Sequence, residues 1–286
     1  MEIVTKFAPF VLFYIMLGIG MSTNIKNFVE ILKNLKVLLI GLISQIIILP
    51  CIGFLFAIFV TNDPALKVGI ILITSMPSAV SSNYITKLAN GNIALSVSLT
   101  AVSAILSFIT IPFIFIVVSP MIISEATILQ DLNFLKMSVG LLLMTTVPVL
   151  IGIIINTRFS IFAEKISKFF SYSSLFLFLL VIFGAWISEW STINQLYKSL
   201  GLLLVFLTAT ILIIVNILVN IFNLNLQNKR TIIIETLIQN GAMAIIVGEL
   251  TLGFGGGYMS VAAVYALLQY KLLSIWWATK KFATNI

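Results

Sequence analysis

The sequence predicts an all-helical polytopic membrane protein, and three observations predict it. Of the 286 residues, 60% are hydrophobic and 9% are charged, where soluble domains carry about 25% charged residues. Mean hydropathy is +1.19. The apolar residues form continuous runs rather than the alternating pattern of a membrane β-barrel. A chain of this length has room for about nine or ten spans of ~20 residues with short connections, which leaves no space for a soluble domain.

Polar breaks divide the chain into nine apolar segments, near 7–21, 37–60, 65–89, 93–118, 134–156, 167–188, 199–222, 231–252 and 258–280. The first, Phe7 to Met21, is as short as a signal-peptide core. Glu2 opens the chain, however, and neither a strongly basic start nor a small-residue cleavage site frames the run, so a retained span is expected. The second contains Pro50 and the single cysteine, Cys51, which excludes an intramolecular disulfide. Pro112 in span 4 and Pro148 in span 5 read, like Pro50, as kinks that membrane helices tolerate. The absence of histidine removes the commonest metal ligand and the usual proton carrier at neutral pH.

The charges set an orientation. With the N-terminus outside, the inner segments hold Lys26, Lys33, Lys36, Lys87, Arg158, Lys165, Lys168, Lys229, Arg230, Lys280 and Lys281, while the outer ones hold Lys6, Lys67, Lys136 and Lys198. That bias predicts an N-out, C-in protein of the inner or plasma membrane, and it accounts for the net charge of +7 without a nucleic-acid partner.

Spans 3 and 8 are each expected to break. Span 3 carries Pro77, Ser78, Ser81, Ser82 and Asn83 at its middle; proline removes a backbone donor and the serines offer the backbone other partners. Span 8 carries Asn240-Gly241 one turn beyond Glu235 and Gln239. Segments five spans apart cross in opposite directions, the arrangement of an inverted repeat with interrupted helices near the midplane. Two unrelated kinks are the plainer reading. Glu235 weighs against it, because a carboxylate within an apolar span costs roughly 3 to 10 kcal/mol and is kept for pairing, ion binding or a watery cavity.

The polar residues around Glu235 suit an ion. Ser96 and Thr100 stack on one face of span 4, as Glu235 and Gln239 do on span 8. With Ser82 and Asn83 they supply a carboxylate, two amide oxygens and three hydroxyls, an all-oxygen set with one negative charge. This fits a hard monovalent cation such as Na⁺ better than Mg²⁺ or Ca²⁺, which usually recruit more carboxylates. Ser98 and Ser103 are expected to bond their own helix backbone instead.

Ser81-Ser-Asn-Tyr-Ile-Thr-Lys-Leu-Ala-Asn-Gly-Asn-Ile-Ala-Leu-Ser-Val-Ser-Leu-Thr100 and Glu235-Thr-Leu-Ile-Gln-Asn240 resemble the bile acid:sodium symporter family, as do Met16-Leu-Gly-Ile-Gly-Met-Ser22, Lys33-Asn-Leu-Lys36 and Gly41-Leu-Ile-Ser-Gln45. The resemblance implies a panel domain (spans 1, 5 and 6) and a core domain (spans 2, 3, 4, 7, 8 and 9) with two crossed, broken helices. It also implies two sodium sites. The first falls on Ser82, Asn83, Ser96, Thr100 and Glu235. The second falls on Gln45, Glu235 and Gln239 with the backbone carbonyls of Thr236 and Ile238. Bacterial members often have ten spans, and the nine here look like that pattern without its first helix. A substrate region is implied at Asn240, Ser81 and Val80, with Gln269 and Lys271 beside it. Pro77-Ser-Ala-Val80 departs from the small run usual before Ser81, and Val80 puts an isopropyl group where a hydroxyl is common, so the cargo is open.

Lys271, near mid-depth in span 9, has three readings: a partner for the substrate carboxylate, an ion-pair partner, or a lysine reaching towards the inner surface. Glu249 lies near the outer end of span 8.

The function expected from all this is sodium-coupled import of an organic anion, a bile acid or a small carboxylate such as pantoate or a keto acid, by alternating access. No enzyme activity is expected, since the spans contain no nucleophile–base pair. The alternatives are a proton-coupled carrier of the same fold and a non-transporting membrane sensor. The partners expected are sodium, the anion and the lipid bilayer; nothing in the sequence fixes an oligomeric state.

Overall fold

A computed structural model of the protein describes residues 2–23, 25, 29, 31, 33–122, 134–252 and 257–283. Its elements are helical: α1 (Glu2–Ser22), α2 (Leu35–Phe59), α3a (Pro64–Ser75), α3b (Val80–Leu88), α4 (Ile93–Ile122), α5 (Phe134–Leu141 continuing as Val147–Arg158), α6 (Ser160–Ser188), α7 (Trp190–Ile221), α8a (Leu226–Leu237), α8b (Gly241–Leu252) and α9 (Tyr258–Ala283). Among the described residues, five helices are long and apolar enough to cross a membrane: Leu35–Phe59, Ile93–Met121, Leu135–Arg158, Leu200–Ile221 and Tyr258–Trp276. Shorter apolar helices lie at Pro9–Ser22, Pro64–Ser75, Tyr172–Ser188 and Gly241–Leu250. Lys26, counted above towards the inner charge, lies outside the described residues.

Helices α6 and α7 begin well before the apolar runs at 167 and 199, because polar residues such as Ser160 and Thr192 do not break a helix. Proline shapes two others. Before Pro50 and before Pro148 the helix widens into a π-turn, at Ser44–Ile48 and Leu142–Thr146. The amides of Leu49 and Val147 reach back five residues, to the carbonyls of Ser44 and Leu142. The wider turn makes room for a ring that would otherwise strike the carbonyl four residues earlier.

Helix α1 packs most extensively against α5 and α6. It can lie close to α5 because Gly20 and Gly152 face each other: a Cβ on Gly20 would stand 2.1 Å from the Val149 carbonyl oxygen, and one on Gly152 would stand 2.5 Å from that of Leu17. Small residues at a crossing are how membrane helices bring their backbones together. Elsewhere α3a packs on α2 and α9, α8a on α7, α3b and α4, and α8b on α9. The axis of the molecule is α8, whose residues from Thr231 to Glu249 are all buried.

Both breaks occur where the sequence predicts them. Helix α3 is interrupted at Met76–Ala79 and α8 at Ile238–Asn240. The interruptions meet. Ser78 and Gln239 form an isolated antiparallel β-bridge, in which the Ala79 amide donates to the Ile238 carbonyl (3.2 Å) and the Asn240 amide donates to the Pro77 carbonyl (2.9 Å). Unwound backbone is tolerable within an apolar core only when its polar groups find partners; here each break satisfies part of the other.

Candidate functional site

Glu235 lies in the last turn of α8a, fully buried. Its four side-chain partners are hydroxyls. Ser82 donates to Oε1 at 2.5 Å, Ser78 to Oε2 at 2.6 Å and Thr100 to Oε2 at 2.9 Å, and Ser96 completes the set at Oε1. Three elements deliver them: the break and first turn of α3b supply Ser78 and Ser82, and the first turns of α4 supply Ser96 and Thr100 one turn apart. A hydrogen bond to a charged group contributes about 1.5–3 kcal/mol, so four of them offset much of the cost of burying the carboxylate.

The cluster holds more close oxygens than protons. A hydroxyl carries one proton, yet the Ser96 oxygen has Glu235 Oε1, Asn83 Oδ1 (2.8 Å) and Thr86 Oγ1 (3.3 Å) around it. The Thr100 oxygen has Glu235 Oε2, Asn83 Oδ1 (3.4 Å), Ser78 Oγ (3.1 Å) and the Ser96 carbonyl (3.1 Å). An oxygen-rich, proton-poor cluster with one negative charge has the chemistry of a small hard cation's coordination shell. Asn83 belongs to the group through Ser96 and Thr100. Ser78 was not among the expected ligands, and it touches the carboxylate directly.

The second expected site is sparser. Gln45 sits in the π-turn of α2, which packs against α8a. It is 2% exposed, and neither its Oε1 nor its Nε2 has a hydrogen-bond partner. Oε1 of Gln239 is likewise buried and unpartnered. Unpaired buried amide oxygens are costly, and two of them on elements flanking Glu235 fit a cation better than an apolar core. The backbone carbonyls expected here are engaged: that of Thr236 accepts Gln239 Nε2 (2.6 Å), and that of Ile238 accepts the Ala79 amide.

Beside the breaks lies a cavity of about 470 Å³, lined on one side by Ala79, Val80, Ser81, Asn83 and Asn240, and on the other by Ile15 of α1 with Tyr172 and Phe178 of α6. Its lining is mostly apolar. Asn240 caps α8b, its Oδ1 accepting the Met243 amide at 3.0 Å. The N-termini of α3b and α8b thus both begin at the cavity wall, and helix N-termini favour anions.

Two residues expected near the substrate are not among those that line this cavity. Lys271 is exposed and does not line the cavity; one residue beyond Tyr270, the helical rotation carries it to the outer surface of α9. Gln269 is fully buried, but its amide is spent on the backbone of Gln239, accepting from the amide (2.8 Å) and donating to the carbonyl (3.2 Å). Ser81 lines the cavity and shares a 2.8 Å hydrogen bond with Tyr270. Ser98 and Ser103 bond their own helix, at Ala94 and Thr100.

The model of the sodium bile acid symporter family matches residues 9–196, well over half of the chain. The chain belongs to the sodium bile acid symporter family. Among curated relatives, it is 34% identical over 100 residues to the uncharacterized sodium-dependent transporter YocS of Bacillus subtilis (strain 168), covering 35% of this chain and 31% of that protein. It is 24% identical over 247 residues to the probable sodium/metabolite cotransporter BASS1, chloroplastic, of Oryza sativa subsp. japonica, covering 82% of this chain and 56% of that one. With the ileal sodium/bile acid cotransporter of Homo sapiens the identity is 26% over 167 residues, 58% of this chain and 47% of the relative. The matched stretches thus span between 31% and 56% of these relatives' own length. The family and the named relatives are sodium symporters and transporters, and as a member with several long apolar helices the chain is a multi-pass membrane protein.

Proposed function

We propose that this protein is a sodium-coupled secondary active symporter that imports an organic anion by alternating access. The observation that carries the reading is the buried Glu235 carboxylate, met by four hydroxyls and, among the described residues, by no cationic side chain. Sodium is cargo. One ion is held by Glu235 with Ser82, Asn83, Ser96 and Thr100, to which Ser78 is added, and a second by Gln45, Gln239 and Glu235 with the carbonyls of Thr236 and Ile238.

Because one carboxylate serves both ions, loading neutralises Glu235 and draws α3b, α4 and α8a together. The anion then docks in the cavity against Asn240, Ser81, Val80 and the two helix N-termini. A volume of about 470 Å³ suits a small to medium organic monoanion. The cavity separates α1 and α6 from the paired breaks, which supports a panel of α1, α5 and α6 and a core of α2, α3, α4, α7, α8 and α9. The antiparallel meeting of breaks five spans apart supports nine spans built as an inverted repeat, and the bias of basic residues supports an N-terminus outside and a C-terminus inside the cell. Moving the core against the panel carries the loaded site inward. Each net charge moved adds about 2.3 kcal/mol per 100 mV of membrane potential.

Uptake into proteoliposomes tests the reading. A panel of radiolabelled monocarboxylates, bile acids included, is offered under an inward sodium gradient and under an equal potassium gradient. Uptake of at least one anion that needs sodium and is lost in Glu235→Gln is expected. Uptake driven equally by a proton gradient in potassium contradicts sodium coupling and favours the proton-coupled carrier.

A further inference from the structure

Helix α8 ends its first half at Leu237, so the carbonyls of its last turn lose the amides that a continuing helix would bring. Those of Glu235 and Thr236 take the Gln239 side chain, and α9 supplies the partner of Leu237. Tyr265 donates its hydroxyl to the Leu237 carbonyl at 2.9 Å. One helical turn later, Gln269 accepts the Gln239 amide at 2.8 Å and donates to the Gln239 carbonyl at 3.2 Å. Both side chains are fully buried. Between them Ala266 presents only a methyl group, and a Cβ on Gly241 would stand 2.6 Å from it, so the start of α8b lies against the same face of α9. One face of α9 therefore stands in for the missing turn of α8.

The consequence falls on Gln239. Gln269 holds the backbone of that residue on both sides, while the Gln239 side chain turns the other way: Nε2 reaches the carbonyls of Thr236 (2.6 Å) and Glu235 (3.5 Å), and Oε1 has no partner. The dihedral freedom that the break would give Gln239 is removed from behind.

We propose that Gln269, with Tyr265 in support, is a positioning residue for sodium: it fixes the unwound turn of α8 so that Gln239 Oε1 and the neighbouring carbonyls stand ready for the ion. The proposal rests on the sodium-coupled reading above. It gives α9 a role distinct from lining the substrate cavity, since the Gln269 amide is held by the backbone of Gln239 and by the Ala266 carbonyl.

The test is the sodium dependence of thermal unfolding of the full-length protein in detergent, titrated with NaCl at constant total salt made up with KCl. Wild type, Gln269→Met and Tyr265→Phe are compared. Partners that orient metal ligands typically change affinity about 10- to 100-fold when removed, and a rise of that size in the sodium midpoint is expected for Gln269→Met. A smaller rise is expected for Tyr265→Phe, which loses one hydroxyl and little volume. A merely structural role would lower the melting temperature equally in potassium and sodium and leave the midpoint where it was; that result overturns the proposal while the sodium-coupled reading stands. If Gln269→Met does not fold, Tyr265→Phe decides on the same criterion. A wild-type protein with no sodium-specific stabilisation overturns the coupled reading itself, and the positioning role with it.

Discussion

At the scale of single residues, the central arrangement is a carboxylate whose neighbours all bear hydroxyls. Ser78 is its least expected member. Removing its hydroxyl leaves one carboxylate oxygen with only Thr100, and Ser78→Ala should destabilise the protein by about 1.5–3 kcal/mol in chemical denaturation. Ser98→Ala serves as the contrast, because the Ser98 hydroxyl bonds only its own helix at Ala94; its effect should stay within about 0.5 kcal/mol. The sequence marks Ser82, Ser96, Thr100 and Glu235 through position within a span and four-residue spacing. Ser78 escapes that logic. It follows Pro77 in unwound backbone, where helical periodicity assigns no direction, and its contact with Glu235 joins residues 157 apart in the chain. Lys271 shows the complementary limit: its depth in a span is legible, but the choice among its three readings depends on which way the side chain faces, and that is set by what packs against the helix; it is exposed, which fits the lysine that reaches towards the surface.

At the scale of elements, prolines and glycines write much of the architecture. Nine apolar runs and two interruptions are visible in the sequence because Pro77 and Asn240-Gly241 disrupt otherwise apolar segments. The π-turns were not. A proline in a span reads as a kink, and only the packing shows whether the helix bends or widens. In α2 the widening matters because Gln45 sits inside it. Pro50→Ala restores an amide and allows the turn to close to ordinary α geometry, which rotates Gln45 relative to α8a. The variant is expected to be as stable as wild type or more so in potassium, with sodium binding weakened by about tenfold or more; equilibrium titration checks both. The α1–α5 contact makes a prediction of the opposite kind. Gly152→Leu forces the backbones apart at Gly20. It should lower the thermal midpoint by an amount equivalent to about 1–3 kcal/mol, and should do so equally in sodium and potassium, since no proposed ligand lies at that crossing.

At the scale of the whole molecule, the paired breaks and the hydroxyl cluster lie in one body of helices, and the cavity lies where that body meets α1 and α6. A charge at the junction of α6 and α7 tests how tightly that end of the bundle is packed. Glu189, between α6 and α7, is 3% exposed, and burial pushes its carboxyl above the ordinary range, opposed in part by a hydrogen bond from Thr192. A carboxyl with a raised folded-state pKa favours the folded state most below its unfolded value of about 4.3. That contribution fades as pH rises through the folded value. Glu189→Gln should therefore raise the thermal midpoint near neutral pH relative to wild type and lose that advantage in acid, as melting curves across pH will record.

Sodium held at Glu235 is tested most directly by equilibrium binding of radiolabelled sodium to the purified protein, with potassium as competitor and Glu235→Gln beside wild type. Saturable binding that excess potassium does not displace, and that Glu235→Gln abolishes, is the predicted result. Binding absent from wild type, or undiminished in Glu235→Gln, would contradict it.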